Sequence, residues 1–259
     1  MKRKTQPISR YFFLTCVLSL QAFVVVAAQN TSFPKHFEVR YHLNRQGLDI
    51  AEIHWKLQMQ NDQAFRYTSK SKTIGIAKLF RDEHITETSD WRFNQGNLQS
   101  LLYQYSRSGG KRIRQAEARF DWPQKRLNNT LNGKQWSVDL PDRTYDKLNY
   151  LLALMQDLKQ GKRIPQYQVA DGSKFKTYEM QYLNEERLES ALGSIETFVL
   201  ERRVKGSERV TRVWAAKSLH YLPVKIEHRE KGETVTLNLT QLIAMDGYRL
   251  SSTHKSGVK

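Results

Sequence analysis

The segment DRTYDKLNYLLALMQDLKQGKRIP, residues 142–165, carries the one clear helical apolar period of the chain after its N-terminal apolar run. Apolar residues recur there at the i, i+3, i+4 spacing of one helix face: Tyr145, Leu148, Leu151, Leu152, Met155 and Leu158. Tyr150 and Leu154 widen this stripe beyond that of an ordinary surface helix. The segment therefore predicts a helix over about residues 143–160, roughly 24 Å long.

Both ends of this predicted helix carry boundary signals. Asp142 or Thr144 can cap the first turn, and Gly161 and Pro165 end the helix. Asp146 lies where the helix dipole favours an anion. Its carboxylate has two interpretations: it guards the mouth of a cavity, or it caps the helix and pairs with a neighbouring Arg or Lys.

The residues on either side of this segment alternate as strands do. Residues 36–43 show the pattern first, and Asn132-Gly133 is the strongest hairpin signal. We expect hairpins without crossovers before the helix and further strands after it. Residues 74–80 fit either a short helical turn at a sheet corner or an apolar loop over the mouth of the sheet, and residues 184–192 fit a short polar helix or an excursion.

These patterns predict a mainly β (α+β) fold. We expect one strongly curved antiparallel sheet or open half-barrel, with the helix packed on its concave side. No linker rich in Pro, Gly or Ser and no internal repeat interrupts the chain. Residues 29–259 are therefore predicted to form a single domain.

The N-terminus has the pattern of a signal peptide over residues 1–28. A basic start is followed by an apolar run from Tyr11 to Val26, and small residues precede a predicted cleavage after Ala28. An uncleaved signal anchor is the alternative, but the run is shorter than the ~20 residues that span a bilayer. Cys16, the single cysteine, lies inside the run, so cleavage excludes disulfides and thiol chemistry from the mature protein. We expect a periplasmic location.

The chain is strongly basic, with 42 Lys and Arg against 26 Asp and Glu and a net charge of +16. About 12 of these positive charges remain after removal of the signal peptide. Such an excess favours anionic membrane or lipopolysaccharide surfaces. The residues expected to touch such a surface cluster around one hairpin tip: Arg107, Lys111, Arg112 and Arg114. A solvated face is the other interpretation of these residues, and export argues against a nucleic-acid partner.

Catalytic and metal-binding signatures are absent from the sequence. It contains no Gly-x-Ser-x-Gly elbow, no His-Glu-x-x-His helix, no phosphate-cradling glycine loop and no dinucleotide fingerprint. The seven histidines are dispersed, and His36 and His42 would lie about 20 Å apart along one strand. Glu185-Glu186 and Asp82-Glu83 fit solvated turns. We therefore expect no enzyme activity, no cofactor and no metal.

A group of aromatic and apolar residues either lines a pocket for acyl chains or packs as plain core. A long curved sheet with one helix has more concave surface than that helix can cover, which keeps a pocket in consideration. The candidate ligand-binding residues are Tyr145, Leu148, Leu151, Met155, Trp136 and Trp214. If Leu151 and Met155 are packed against strands, the helix is core and this site is lost.

Several short motifs occur in a recognisable order from the helix onwards. They are Tyr145-Asp146 before the apolar helix, a turn at Asp171-Gly172, Gly193 before a strand, Trp214, Leu222-Pro223-Val224-Lys225-Ile226 and Gly232. From about Phe37 to Leu242 the chain resembles the bacterial exported family known as domain of unknown function 3108. The resemblance implies a periplasmic protein with a strongly curved antiparallel sheet, similar in architecture to periplasmic lipoprotein carriers. It implies no established activity and no catalytic residues.

Three hypotheses of function follow. The first is non-enzymatic binding of a hydrophobic or amphipathic envelope ligand, such as a lipid or a lipoprotein acyl chain. The second is a structural or assembly role in an envelope complex, through the sheet edge or the basic face. The third, an envelope hydrolase, would require His, Asp or Glu side chains that converge in a cleft.

Overall fold

Sixteen strands form in the part of the chain that the structure describes, and alternating apolar and polar residues mark most of them. The computed structural model describes residues 33–110 and 113–248. The predicted signal peptide with Cys16 and the predicted cleavage after Ala28 lie outside these residues, as do Lys111 and Arg112.

The first eight strands are antiparallel hairpins, each paired with the next strand in the chain. They are β1 (His36–Arg45), β2 (Leu48–Met59), β3 (Ala64–Thr73), β4 (Glu83–Asn94), β5 (Asn97–Gly109), β6 (Arg114–Asp121), β7 (Arg126–Leu131) and β8 (Lys134–Asp139). This arrangement confirms the prediction of hairpins without crossovers. A one-turn helix, α1 (Ala77–Phe80), connects β3 to β4, which selects the helical-turn interpretation of residues 74–80.

An inserted segment of mixed structure follows β8. It consists of β9 (Thr144–Tyr145), α2 (Asn149–Lys159), β10 (Gln166–Asp171) and β11 (Lys174–Glu179). The three strands form a small sheet in the order β11-β10-β9, in which β9 runs parallel to β10.

The last five strands complete the main sheet. They are β12 (Gln181–Ser190), β13 (Gly193–Arg203), β14 (Val210–Ala216), β15 (Leu222–Glu230) and β16 (Glu233–Met245). Because β16 pairs with β1, the two runs of hairpins join into thirteen strands in the order β12-β13-β14-β15-β16-β1-β2-β3-β4-β5-β6-β7-β8. Within the described ranges β8 and β12 do not pair, so the sheet is not closed. The inserted segment carries the chain from one edge to the other.

Helix α2 is shorter than predicted, with 11 residues and a length of about 16 Å. The predicted first turn is absent because Thr144 and Tyr145 pair with Gln168 and Val169 as a strand. The capping prediction for Asp142 and Thr144 is wrong, since the Thr144 hydroxyl donates to the carbonyl of Pro141 instead.

The prediction of a polar helix or an excursion at residues 184–192 is also wrong. Strand β12 covers most of this segment and pairs with β13 from Gln181 to Ser190. It lies at the edge of the sheet, where most of its residues are exposed. An edge strand exposed on both faces has no apolar alternation, so its sequence does not resemble a half-buried strand.

The core consists of two apolar clusters, and α2 contributes to both. Leu148, Leu151, Leu152 and Met155 pack with buried residues of the main sheet. Ala153, Leu154 and Leu158 pack in the second cluster, which contains residues of β10, β13 and β14. The widened apolar stripe of the sequence therefore reflects a helix buried on two sides.

The C-terminal half of α2 is bonded to loops that lie far apart in the strand order. The Gln156 side-chain amide donates to the carbonyl of Gly96, between β4 and β5, at 2.8 Å. The Lys159 ammonium lies 3.2 Å from Nδ1 of His220, between β14 and β15. In the described parts of the chain, no helix is long and apolar enough to cross a membrane.

A buried polar cluster joins the start of α2 to strands β4 and β5. Oδ1 of Asp146 accepts bonds from the N–H groups of Leu148 and Asn149, each at 2.9 Å, and Oδ2 accepts the Ser89 hydroxyl at 2.6 Å. The Asn149 side-chain amide and the Asp146 N–H both donate to the Ser100 hydroxyl, at 2.7 and 3.1 Å. Asp146 thus caps the helix, as one interpretation of the sequence held. Its other partner is a serine, and no ion pair with Lys or Arg is found for it within the described residues.

Burial dominates the electrostatics of Asp146. Desolvation raises the pKa of its carboxyl group to about 6, although the bonds from Ser89, Asn149, Leu148 and Ser100 oppose the shift. A carboxyl group with a raised folded-state pKa stabilises the fold when protonated. Its contribution is fully present below the usual pKa near 4 and is lost as the pH rises through about 6.

We predict that Asp146→Asn removes this part of the pH dependence. Asparagine keeps an oxygen for the two helix N–H groups and cannot ionise. The free energy of unfolding of the variant relative to the native protein should improve by roughly 2 kcal/mol between pH 4 and pH 7. Urea unfolding at both pH values measures this difference. A relative stability that is the same at pH 4 and pH 7 would show that the carboxyl group does not titrate in this range.

We also predict that Leu152→Ala and Leu79→Ala differ sharply in their effect. Leu152 is 0% exposed in the core, whereas Leu79 on α1 is 83% exposed. The core substitution should lower the free energy of unfolding by about 2–5 kcal/mol, and the surface substitution by less than about 0.5 kcal/mol. Equal losses in chemical unfolding would contradict the burial of α2 on two sides.

Candidate functional site

Small side chains on β6 leave a depression in the buried face of the main sheet, the face that carries the core residues. Ala116 and Ala118 point to this face, where strand register places them opposite Tyr105 and Tyr103 of β5. On the other side they lie opposite Leu131 and Asn129 of β7. Two methyl groups between larger neighbours cannot fill the layer, so a space remains above them.

The inserted segment covers this space and turns it into a cavity of about 450 Å³. Its walls are formed by residues of β4–β8, by Asp146 and Lys147, and by residues 170–174 around the β10–β11 turn. The ammonium of Lys147 bonds to Asp171, which also accepts Lys176 at 2.5 Å. Burial would raise the pKa of Asp171, but these two lysines outweigh it and lower the pKa to about 2. This ion pair ties the turn to the start of the helix.

Trp136 forms one wall and presents an unused hydrogen-bond donor. Its Nε1 atom is buried and has no partner within the described structure. The β10–β11 turn passes beside the ring at Gly172, whose φ is +65° and where an added Cβ atom would lie 3.9 Å from Cζ2 of Trp136. A buried N–H without a partner is unfavourable, so this contact of the turn with the ring has a cost in stability.

The interior of the cavity also contains acidic groups. The Tyr103 hydroxyl donates to Oε1 of Glu87 at 2.5 Å. Burial raises the pKa of Glu87, against the opposing effects of Tyr103 and the Lys147 charge. Asp146, with its pKa near 6, borders the same space. Asp146 therefore borders a cavity, but it is 1% exposed and so does not guard the mouth of the cavity as the other interpretation held.

Exposed cations surround this interior. Arg114, Lys147 and Lys174 all line the cavity and are exposed to solvent. The guanidinium carbon of Arg114 lies 5.7 Å from the centre of the Tyr105 ring. The cavity thus combines an apolar wall with a charged rim, in which Glu117 and Asp171 lie among the cations and Asp171 is paired with Lys147. Its volume lies within the range of about 300–1,000 Å³ that is typical of ligand pockets.

Of the six predicted ligand-binding residues, the structure places Trp136 in this cavity. Leu148, Leu151 and Met155 are 5%, 6% and 1% exposed and pack in the core, so they offer no free surface to a ligand. The condition stated for the loss of the helix site is therefore met. The aromatic ring of Tyr145 packs on Tyr167, with ring centres 5.5 Å apart.

Trp214 is also a core residue and does not line the cavity. It is 6% exposed, its indole N–H donates to Glu186, and the Lys225 ammonium lies 4.3 Å from its ring centre. Glu185 and Glu186 are exposed, as expected, but they lie on strand β12 and not in a turn, and Glu185 pairs with Lys217. Among the described residues no group of three or more His, Cys, Asp or Glu side chains is arranged to hold a metal ion.

Two of the four predicted anion-contacting residues are described, and they face each other. Arg107 and Arg114 are cross-strand partners at the ends of β5 and β6. Nε of Arg107 lies 3.8 Å from Glu83, and its side chain is 24% exposed, so it is only partly available to an external anion. Arg114 is exposed. Lys111 and Arg112 lie outside the described residues.

Reasoning from the sequence missed Glu87, the alanines of β6 and the β10–β11 turn. The signal that could have found the cavity is the pair Ala116 and Ala118, which occupy two consecutive inward positions of a strand where large apolar residues are usual. The turn over them could not be placed, because the contact between distant segments depends on the tertiary fold.

Comparison with known proteins agrees with this architecture. A search of the curated proteins found no match. Among solved structures, the chain is similar to the β-barrel-like protein of domain of unknown function DUF1849 from Brucella abortus, with a TM-score of 0.53 and 7% sequence identity over 80% of this chain and 96% of that one. At this identity the likeness concerns the fold alone. A family model described as "Protein of unknown function (DUF3108)" matches residues 36–240. The chain therefore belongs to the DUF3108 family.

Proposed function

We propose that this protein is a non-enzymatic periplasmic protein that binds an amphipathic envelope ligand, such as a lipid or a lipoprotein acyl chain, in the cavity above Ala116 and Ala118. The observation that carries the proposal is the space of about 450 Å³ above Ala116 and Ala118, which is lined by Trp136 and by the β10–β11 turn of the inserted segment. Export itself is inferred from the signal-peptide pattern of residues 1–28.

The two kinds of wall suit the two parts of an amphipathic molecule. The apolar part of the ligand would lie against Ala116, Ala118 and Phe120, and its anionic or polar head would lie near Arg114 and Lys174. Apolar contact supplies most of the binding free energy of such ligands, while a few polar groups fix their orientation. The proposed ligand site therefore lies on the main sheet beside the helix. The sequence had predicted it on the apolar stripe of the helix itself.

The proposed architecture is a strongly curved sheet with α2 on its concave side. The loops that contain Gly96 and His220 are separated by six strand spacings, about 29 Å in a flat sheet. Both loops nevertheless reach Gln156 and Lys159, which are three residues apart on one short helix. Bending of the sheet around the helix accounts for both contacts and supports an architecture like that of periplasmic lipoprotein carriers.

Assembly through the sheet edge is the weaker candidate. Edge strand β12 is exposed, which would suit pairing with another chain. However, Glu185, Glu186 and Arg187 place charges along it, and charged edge strands resist such pairing. A hydrolase is not favoured either, because Glu87 and Asp146 are engaged by Tyr103 and by Ser89 with the helix N–H groups.

We predict that filling the cavity abolishes ligand binding without unfolding the protein. Ala118→Leu should place a side chain in the empty space and weaken the binding of a fluorescent long-chain fatty acid by at least about tenfold. Gln135→Leu is the matched control, because it adds a leucine to the exposed face of β8. Fluorescence titration measures both affinities, and thermal unfolding verifies folding. Saturable binding of equal affinity in both variants would place the ligand elsewhere. The absence of binding by the native protein, together with no lipid in its mass spectrum after purification from membranes, would refute the proposal.

We further predict that Trp136→Phe separates binding from stability. The phenylalanine removes the unpaired N–H, so stability should be unchanged or slightly higher, and its smaller ring takes apolar surface from the cavity wall, so affinity for the fatty acid probe should fall about fivefold. Trp122→Phe is the control, since the Trp122 N–H donates to the carbonyl of Ser100 at 2.7 Å. That variant should lose about 1 kcal/mol of stability and keep its affinity. The opposite assignment of the two effects would contradict a ligand site lined by Trp136.

A further inference from the structure

A surface separate from the cavity exposes large apolar side chains at one end of the main sheet. On α1, Leu79 and Phe80 are 83% and 84% exposed, and Ile76 just before it is 61% exposed. Ile113, after the β5–β6 turn, is 71% exposed. Single exposed apolar residues are common on protein surfaces, but three within five consecutive residues are not scattered. We call Ile76, Leu79, Phe80 and Ile113 the apolar corner.

The two segments that carry the apolar corner lie against each other. Glu83, at the start of β4, is the cross-strand partner of Gly109 at the end of β5. A Cβ atom added at Gly109 would lie 1.9 Å from the carbonyl oxygen of Asp82, so only glycine fits there. The close approach holds the end of β5 beside the segment that leads out of α1.

Cations surround the apolar corner. Lys78 and Arg81 flank Leu79 and Phe80 in the sequence. Lys78 lies 3.8 Å from Asp82, and Arg81 lies 2.8 Å from Glu83. With Arg107 and Arg114 there are four cations against these two acids, an excess of two positive charges. The Lys78 and Arg81 side chains are each 59% exposed, so both can reach an external anion.

We propose that the apolar corner docks the protein on the surface of a bilayer that contains anionic phospholipid. Leu79 and Phe80 enter the boundary between head groups and acyl chains, and Lys78 and Arg81 extend along them to the phosphates. This combination of exposed apolar tips with flanking cations is typical of interfacial membrane contacts. Apolar contact and charge are both weak alone, so stable docking needs the two together.

Docking would also present the cavity to the membrane. Arg114 belongs to both the surroundings of the apolar corner and the rim of the cavity. Glu87 lies four residues along β4 from Glu83, a distance of about 13 Å in a strand. The docking proposal does not depend on a bound ligand, but it would give an envelope lipid a short path into the site.

Vesicle sedimentation with the mature protein tests the proposal. The native protein should bind phosphatidylcholine vesicles that contain phosphatidylglycerol and bind pure phosphatidylcholine vesicles much more weakly. Leu79→Ser combined with Phe80→Ser should weaken binding to the anionic vesicles by about tenfold or more. The matched control is Ile164→Ser combined with Leu183→Ser, which changes two other exposed apolar residues and should leave binding intact.

The contribution of charge is tested in the same assay. Lys78→Gln combined with Arg81→Gln should remove most of the preference for anionic vesicles, whereas Lys70→Gln combined with Arg92→Gln, with the same loss of charge elsewhere, should not. The Ala118→Leu variant should still dock, which separates this proposal from ligand binding. Undiminished binding after both corner substitutions would overturn the proposal. It would also be overturned if the native protein ignored all vesicles and the apolar corner crosslinked to another protein instead.

Discussion

One buried carboxylate connects the inserted segment to the main sheet, and the rest of the architecture depends on it. Asp146 is 1% exposed, and Ser89, Ser100 and Asn149 around it are fully buried. A register shift between Asp90 and Trp91 brings Ser100, a member of this buried polar cluster, opposite Trp91. The polar groups of this cluster bond to one another, so their burial is tolerated. Because these bonds join the start of α2 to the two serines of the main sheet, they also fix the position of the helix. Large apolar side chains in place of Ser89 and Ser100 would fill the space that Asp146 and the start of α2 occupy.

This connection explains why the helix is core and the neighbouring sheet is not fully packed. Helix α2 is held between the main sheet and the small sheet, so its apolar residues are used on both sides. The β10–β11 turn extends past the helix and is held there by Lys147 and Asp171. Ala116 and Ala118 lie below the β10–β11 turn and are too small to contact it, so a cavity remains between them. Asp146 belongs both to the buried polar cluster and to the cavity wall, so the residue that attaches the helix also borders the cavity.

The sequence contains enough information to predict the antiparallel hairpins, because alternation and turn residues are local signals. The existence of the helix followed from its apolar period, but its start did not. Tyr145 continues the helical spacing, yet it pairs with Val169, a residue brought there only by the tertiary fold. Strand β12 was not predicted because an exposed edge strand shows no alternation of apolar and polar residues. The ligand residues assigned to the helix were chosen from one apolar stripe, and periodicity cannot tell a stripe that meets a ligand from one that meets a second sheet. The cavity depends on the lack of large side chains at Ala116 and Ala118. It also depends on the β10–β11 turn, which lies more than fifty residues later in the chain.

The pairing of β1 with β16 has a consequence for how the molecule acquires its structure. Oδ2 of Asp246 accepts the N–H of Lys35 at 2.8 Å across 211 residues of sequence, and the central strand pair lies beside this contact. Each run of hairpins contains mostly local pairings and can form early, but the two halves cannot join until nearly the whole chain has been synthesised. Until then β1 is an open edge with half of its hydrogen bonds unmade. Joining of the two halves is therefore expected to be the slow step of folding, and the interval before it is when the chain most needs protection from aggregation.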